Sequence, residues 1–222
     1  MHYRIEKVLG PGELEQIRTR LEAASFVDGR VTASGAAAAV KKNLQLPPES
    51  QLRKELVQLV QQGIGRSEKL SAHAFPKVMA PPTFARYEPG MEYGAHVDAP
   101  FLNNGQMRAD ISMTVFLNEP EEYEGGELVI DQTGSESLIK LPAGDAFIYP
   151  TTYLHRVAPV TRGVRLVAVT WFQSFVPDER HRTIAIQLNS VKAALEADPA
   201  RAKDADTLRA ALFNLMREWW RP

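Results

Sequence analysis

Cysteine is absent from this 222-residue sequence. Its absence removes disulfides, thiolate metal sites, iron–sulfur clusters and cysteine nucleophiles together. Any metal must then be held by nitrogen and oxygen donors. An excess of charge is lacking too: 26 Lys and Arg stand against 27 Asp and Glu, a formal net charge of -1. Such a field draws the molecule neither to nucleic acid nor to an anionic membrane. No apolar run approaches the roughly 20 residues that span a bilayer. The opening residues, MHYRIEKVLGPGELEQIR, lack the charged-then-apolar pattern of a signal peptide. The expectation is a cytoplasmic protein with neither nucleic-acid nor membrane partners. A hydrophobic content of 44% is ordinary for a globular chain, and the length suits one core with helical additions.

Periodicity divides the chain into three parts. Residues 1–82 read as a helical and mixed segment packed on the core. Pro11 to Ala24 predicts a helix, with Pro11 in its first turn and Leu14, Ile17 and Leu21 at helical spacing. The stretch GRVTASGAAAAVKKNLQLPPES reads as irregular around short strands, with Lys41 and Lys42 in a solvated loop. Ser50 suits the N-cap of a second helix bearing Leu52, Leu56, Leu59 and Val60, and Gly63 and Gly65 punctuate its end.

Residues 83–176 change texture. FARY, EYGAHVD, DISMTVFLN, GELVID, SLIKL, DAFIY, HRVAPV and RLVAVTWFQ predict strands, separated by EPG, NNG, GG, TGS, PAGD and TRG. Many short strands at regular spacing predict a mainly β sandwich or jelly roll with flanking helices. Residues 177–222 turn helical again. AIQLNSVKAALEA predicts one or two helices, and Asp204 to Trp220 another, with Leu208, Ala211, Leu212, Leu215 and Trp219 on one face. That face is expected to pack against the β core, with a homodimer interface as the alternative.

Five histidines are present, and two lie in the β region: His96 and His155. His96 belongs to His96-Val97-Asp98. Side chains two apart on a strand share a face, so this tripeptide sets an imidazole beside a carboxylate and turns Val97 away. His155, which opens a late strand after Pro150-Thr151-Thr152, is the natural third donor. Two His and one carboxylate on one face of an octahedral ion leave adjacent positions open, the pattern of non-haem Fe(II) oxygenases. The competing reading of an isolated strand histidine is a surface or satisfied core residue. Arg165 opens RLVAVTWFQ, a run apolar enough to be buried. A buried guanidinium needs an anion, and its planar fork matches a carboxylate. The competing reading is an ion pair with an internal Asp or Glu.

Taken together, RYEPGMEYGAHVD, GGELVI and LPAGDAFIYPTTYLHRVAPVTRGVRLVAVTWFQS resemble the prolyl 4-hydroxylase-like branch of the Fe(II)/2-oxoglutarate dioxygenases, and within it the PKHD-type hydroxylases. The Asn43 to Pro47 segment and the helical tail extend the resemblance over nearly the whole chain. It implies a double-stranded β-helix, the cupin-like jelly roll, at residues 83–176. It implies Fe(II) on His96, Asp98 and His155, with 2-oxoglutarate and O2 as co-substrates and L-ascorbate as a candidate addition. Arg165 matches the residue that grips the distal carboxylate of 2-oxoglutarate, and Tyr87 a tyrosine lining the same pocket. Phe116 stands where some relatives carry a hydrogen-bonding Tyr, so Thr170 or Ser112 is expected to assist Arg165. The implied activity is hydroxylation of a small-molecule or peptide substrate, with 2-oxoglutarate converted to succinate and CO2. The alternatives are a Zn- or Mn-dependent cupin-type enzyme and a non-catalytic iron or 2-oxoglutarate sensor on the same fold.

Overall fold

The computed structural model describes residues 2–33, 35–132 and 134–221; Met1, Ser34, Pro222 and Thr133 of the expected TGS turn lie outside them. Its strands are β1 (Tyr3–Ile5), β2 (Val27–Asp28), β3 (Lys41–Lys42), β4 (Leu44–Gln45), β5 (Pro76–Met79), β6 (Thr83–Tyr87), β7 (Glu92–His96), β8 (Phe101–Leu102), β9 (Met107–Arg108), β10 (Ile111–Phe116), β11 (Tyr123–Gly125), β12 (Leu128–Gln132), β13 (Ser135–Ile139), β14 (Ala146–Pro150), β15 (His155–Val157), β16 (Val160–Gly163) and β17 (Arg165–Ser174). The helices are α1 (Pro11–Glu22), α2 (Gly35–Ala39), α3 (Gln51–Gly65), α4 (Glu68–Ala74), α5 (Glu179–Glu196) and α6 (Ala202–Trp219).

The larger sheet runs β1-β14-β10-β17-β6-β4-β2, with β5 also paired to β17, and the smaller runs β13-β12-β15-β7-β3. β8 pairs with β9 and β11 with β16. Three layers result. On β10, Ile111, Met113 and Val115 join the cluster that holds Ile17 and Leu21 of α1 and Leu56 and Val60 of α3. The alternate residue Phe116 joins a second cluster with Leu128 and Ile130 of β12 and Val157 of β15. The period of two on one strand thus feeds a helix-facing core and an inter-sheet core at once. β17 follows the same rule, with Leu166, Ala168 and Phe172 toward the helices and Val167 and Val169 toward the smaller sheet. This is the expected jelly roll with flanking helices.

Local chemistry sets the helix ends. Glu13 of α1 reaches back to the Gly10 amide at 2.9 Å, and Ser50 caps α3 by accepting from the Arg53 amide at 3.2 Å. Helix α1 stops at Glu22 rather than Ala24; of the two glycines expected at the end of α3, Gly65 closes it and Gly63 lies buried in its last turn. Helix α4, which the pattern did not announce, is capped by Ser67 and closed by Phe75 in the left-handed region at φ 44°.

The C-terminal stripe is corrected. It packs on α5 rather than on the β core. Leu212 is buried, Leu208, Leu215 and Trp219 are half-buried and Ala211 is exposed. The Trp219 ring stacks on His181 of α5 at 4.7 Å, and Trp220 stacks on Phe175 at 3.9 Å. AIQLNSVKAALEA lies in the single helix α5. No helix among the described residues is long and apolar enough to cross a membrane.

Candidate active site

His96 ends β7 and His155 opens β15. The two strands pair antiparallel with His155 opposite His96, and the rings lie 4.2 Å apart. Asp98 lies past the end of β7, not on it as the EYGAHVD run suggested. The reason is the partner strand: β15 starts at His155, so Val97 and Asp98 have no ladder residue to pair with. The irregular segment after β7 still delivers the carboxylate, while Val97 is 48% exposed. One donor atom from each of His96, Asp98 and His155 lies within 4.8 Å of the others. Asp98 Oδ1 is 4.0 Å from His96 Nε2 and 3.8 Å from His155 Nε2.

Neighbours fix the direction of every donor. His96 Nδ1 meets the Gly94 carbonyl at 2.8 Å and His155 Nδ1 the Tyr153 carbonyl at 3.0 Å. A carbonyl can only accept, so each Nδ1 carries the proton and each Nε2 keeps its lone pair for a ligand. Burial, and then the adjacent His155, hold the His96 imidazole down at about 4. Tyr93 stacks on His96 at 3.7 Å, and Tyr149 meets His155 edge-on at 5.0 Å. Asp98 Oδ2 accepts from Ser112 Oγ and, at 3.0 Å, from Trp171 Nε1, which leaves Oδ1 for the imidazoles.

The sequence named neither Ser112 nor Trp171 in this role. A usable signal was parity: Trp171 lies six residues after Arg165 on β17 and so shares its face. The expectation that Thr170 or Ser112 assists Arg165 fails, for a different reason at each residue. Thr170 points to the other face and donates to the Ala80 carbonyl at 2.5 Å, and Ser112 is engaged by Asp98.

Arg165 is 1% exposed, and its Nε has no partner. No ion pair joins it to a carboxylate among the described residues, so the internal salt bridge considered as its alternative is not there. Its guanidinium carbon lies 5.0 Å from the centre of the Tyr87 ring and 5.7 Å from that of Phe116. Burial raises the Tyr87 phenol, and the Arg165 charge pulls it back. Gly126, at φ +67°, makes room for the Arg165 stem: a Cβ there would sit 3.0 Å from Arg165 Cδ. Arg156 and Arg162 are spent on Glu136 at 3.0 Å and Glu124 at 2.8 Å.

One cavity of about 490 Å³ joins the three clustered donors, Arg165, Tyr87 and Trp171, a volume within the range of small-molecule sites. Its other wall comes from residues 27–46, where Thr32, Lys41, Asn43 and Gln45 face in. Lys41 corrects the solvated-loop expectation. It is 8% exposed on β3, and only its neighbour Lys42 faces solvent.

The donor set fits an octahedral ion that keeps open positions. The buried guanidinium, with its Nε unpartnered, fits a carboxylate. A superfamily profile described as 2OG-Fe(II) oxygenase matches residues 82–173. A PKHD-type hydroxylase from Picosynechococcus sp. is 43% identical over 99% of both chains. The jelly roll is similar to a Pseudomonas putida prolyl-4-hydroxylase, at TM-score 0.53 and 19% identity over 78% of this chain and 92% of that one. It is also similar to HygX from Streptomyces hygroscopicus, solved with nickel and 2-oxoglutarate bound, at TM-score 0.54 and 14% identity over 78% and 82%. With near-complete coverage at that level of identity, the chain belongs to the PKHD-type hydroxylases of the 2OG-Fe(II) oxygenase superfamily.

Proposed function

We propose that His96, Asp98 and His155 hold Fe(II) and that Arg165, above the Tyr87 ring, grips the far carboxylate of 2-oxoglutarate. When bound, the iron supplies O2 activation, coupling the oxidation of 2-oxoglutarate to succinate and CO2 with hydroxylation of a C–H bond. The remaining work belongs to side chains. Gly94 and Tyr153 carbonyls keep both imidazoles in the ligating tautomer. Ser112 and Trp171 orient Asp98. Arg165 supplies a fixed fork that selects a dicarboxylate and positions it by its distal end. Apolar neighbours such as Leu128, Val157 and Val169 line the same cavity and keep water scarce around the charged groups.

The observation that carries this reading is the pairing, in one cavity, of a His-Asp-His donor cluster with a buried Arg that no carboxylate among the described residues pairs with. The substrate is a small molecule or a peptide. Anaerobic calorimetry with Fe(II) and 2-oxoglutarate, followed by succinate assay in air, tests it. Two outcomes support the reading: iron-dependent 2-oxoglutarate binding, and succinate release that Zn(II) or Mn(II) does not sustain. Turnover with Zn(II) alone would favour a cupin-type hydrolase, and tight binding with no succinate would favour a sensor.

A further inference from the structure

The cavity holds a second buried cation that this chemistry leaves unused. Lys41 sits on β3 opposite Tyr93 of β7. Its ammonium donates to Thr32 Oγ1 at 3.0 Å, and Thr32 donates on to Gln45 Oε1 at 2.6 Å. It also lies 5.2 Å from the centre of the Tyr93 ring, the ring that stacks on His96. The charge is therefore one aromatic ring away from a proposed iron ligand. No carboxylate forms an ion pair with Lys41 among the described residues. Burial lowers its pKa to about 8, so it is still cationic at neutral pH. The charges of Asp98 and Asp28 act on it from a distance, but neither carboxylate bonds it, and an ammonium with three donors and one filled partner is expensive to bury without a bonded anion.

The co-substrate does not supply that anion. 2-Oxoglutarate has two carboxylates, and on the reading above one goes to the iron and the other to Arg165. Arg165 extends from β17, in the larger sheet, whereas Lys41 extends from the edge strand of the smaller one. Ala33 and Ala37 of the N-terminal wall and Leu102, beyond Asp98, also line the cavity. An apolar body beside a single anionic head matches that lining.

We infer that Lys41, positioned by Thr32 and Gln45, is a specificity residue that binds a carboxylate on the molecule to be hydroxylated, so that the substrate is an acid with an apolar body. This rests on the Fe(II)/2-oxoglutarate reading of the cavity. Lys41 selects substrate and takes no part in holding iron or co-substrate.

The test is anaerobic calorimetry on the Fe(II)- and 2-oxoglutarate-loaded protein with matched probes: N-acetyl derivatives of alanine, valine, leucine, proline and phenylalanine, each as the free acid and as the carboxamide. At least one acid is expected to bind, with its amide weaker by tenfold or more. Lys41→Met brings the acid down to the level of the amide, and Lys42→Met, on the exposed face, leaves it unchanged. The 2-oxoglutarate affinity of Lys41→Met stays within twofold of the parent. The inference is overturned if acids and amides bind alike, if Lys41→Met keeps acid binding, or if no acid binds. It is also overturned if that variant loses tenfold or more in 2-oxoglutarate affinity, which would make Lys41 a co-substrate ligand. Should Lys41→Met not fold, the acid-to-amide ratio of the unaltered protein decides alone. Failure of the unaltered protein to bind 2-oxoglutarate at all would instead sink the functional reading beneath.

Discussion

The two walls of the cavity are built differently. The barrel wall uses long strands paired on both sides: β17 runs ten residues between β10 and β6. The wall from residues 27–46 uses two-residue strands, one turn of 3-10 helix and the five-residue α2. The first wall carries the proposed metal donors, each held by a neighbour, and Arg165, whose Nε has no partner. The second carries Thr32, Lys41, Asn43 and Gln45, with Asn43 Oδ1 left without a partner. Catalytic geometry tolerates little displacement, so it belongs on rigid paired strands. Selectivity can reside on short, exchangeable pieces. The comparison predicts that damage to the first wall removes the reaction, and damage to the second changes what is bound.

The largest effect should come from the donors themselves. His96→Ala or Asp98→Ala is expected to abolish stoichiometric Fe(II) binding and drop succinate release to background, as measured by metal analysis and product assay. Wild-type turnover in either variant would remove the barrel wall's claim to the chemistry. Arg165→Met comes next. Truncating a buried charged partner costs about 2–5 kcal/mol, so the KM for 2-oxoglutarate should rise roughly a hundredfold or more while Fe(II) binding persists. Arg165→Lys should recover only part of that, because an ammonium is a point charge without the fork. An unchanged KM would place the anchor elsewhere.

How much of this was legible follows the same division. His96 and His155 stood out because imidazoles are scarce here and lie in a β region. Arg165 stood out because a guanidinium opening an apolar strand demands an anion. Ser112 and Trp171 did not, because β10 and β17 are buried on both faces. Parity then says which residues share a face, but not which face meets the cavity. Parity alone would still have set Thr170 apart from Arg165. Lys41 was hidden for another reason. A two-residue strand is too short for any period to register, and a Lys-Lys pair beside Gly and Ala looks solvated until its pairing with β7 is known. Asp98 was found although the strand assignment beneath it was wrong, since the first two residues beyond β7 keep the carboxylate near the imidazoles.

A smaller effect tests whether the orienting residues matter. Partners that orient metal ligands are commonly worth about 10–100-fold in metal affinity. Ser112→Ala and Trp171→Phe should each weaken Fe(II) binding within that range, and the double variant by less than the product, because both act on the same Asp98 oxygen. Metal competition titrations would read this, and full affinity in the double variant would mean that Asp98 needs no such help.

The smallest effect is expected where the walls meet. Gly94 of β7 donates its amide to the Val40 carbonyl at 2.9 Å and accepts from His96 Nδ1 at 2.8 Å. It is thus bonded to the Lys41 side and to the metal side at once. A Cβ on Gly94 would lie 2.7 Å from Val40 Cβ, closer than two carbons can approach. Gly94→Ala should therefore push β3 away from β7 and cost about 1–3 kcal/mol of stability, read as a lowered Tm. Because β7 is held by β15 on its other edge, Fe(II) affinity should change only a few-fold. Adding Val40→Gly removes the facing Cβ and should restore part of the loss, even though glycine by itself weakens a chain segment. If the double variant is no better than the sum of the two, the contact is not what sets the spacing. If instead Gly94→Ala removes iron binding as thoroughly as Asp98→Ala does, the walls are not separable and His96 depends on the N-terminal wall for its position.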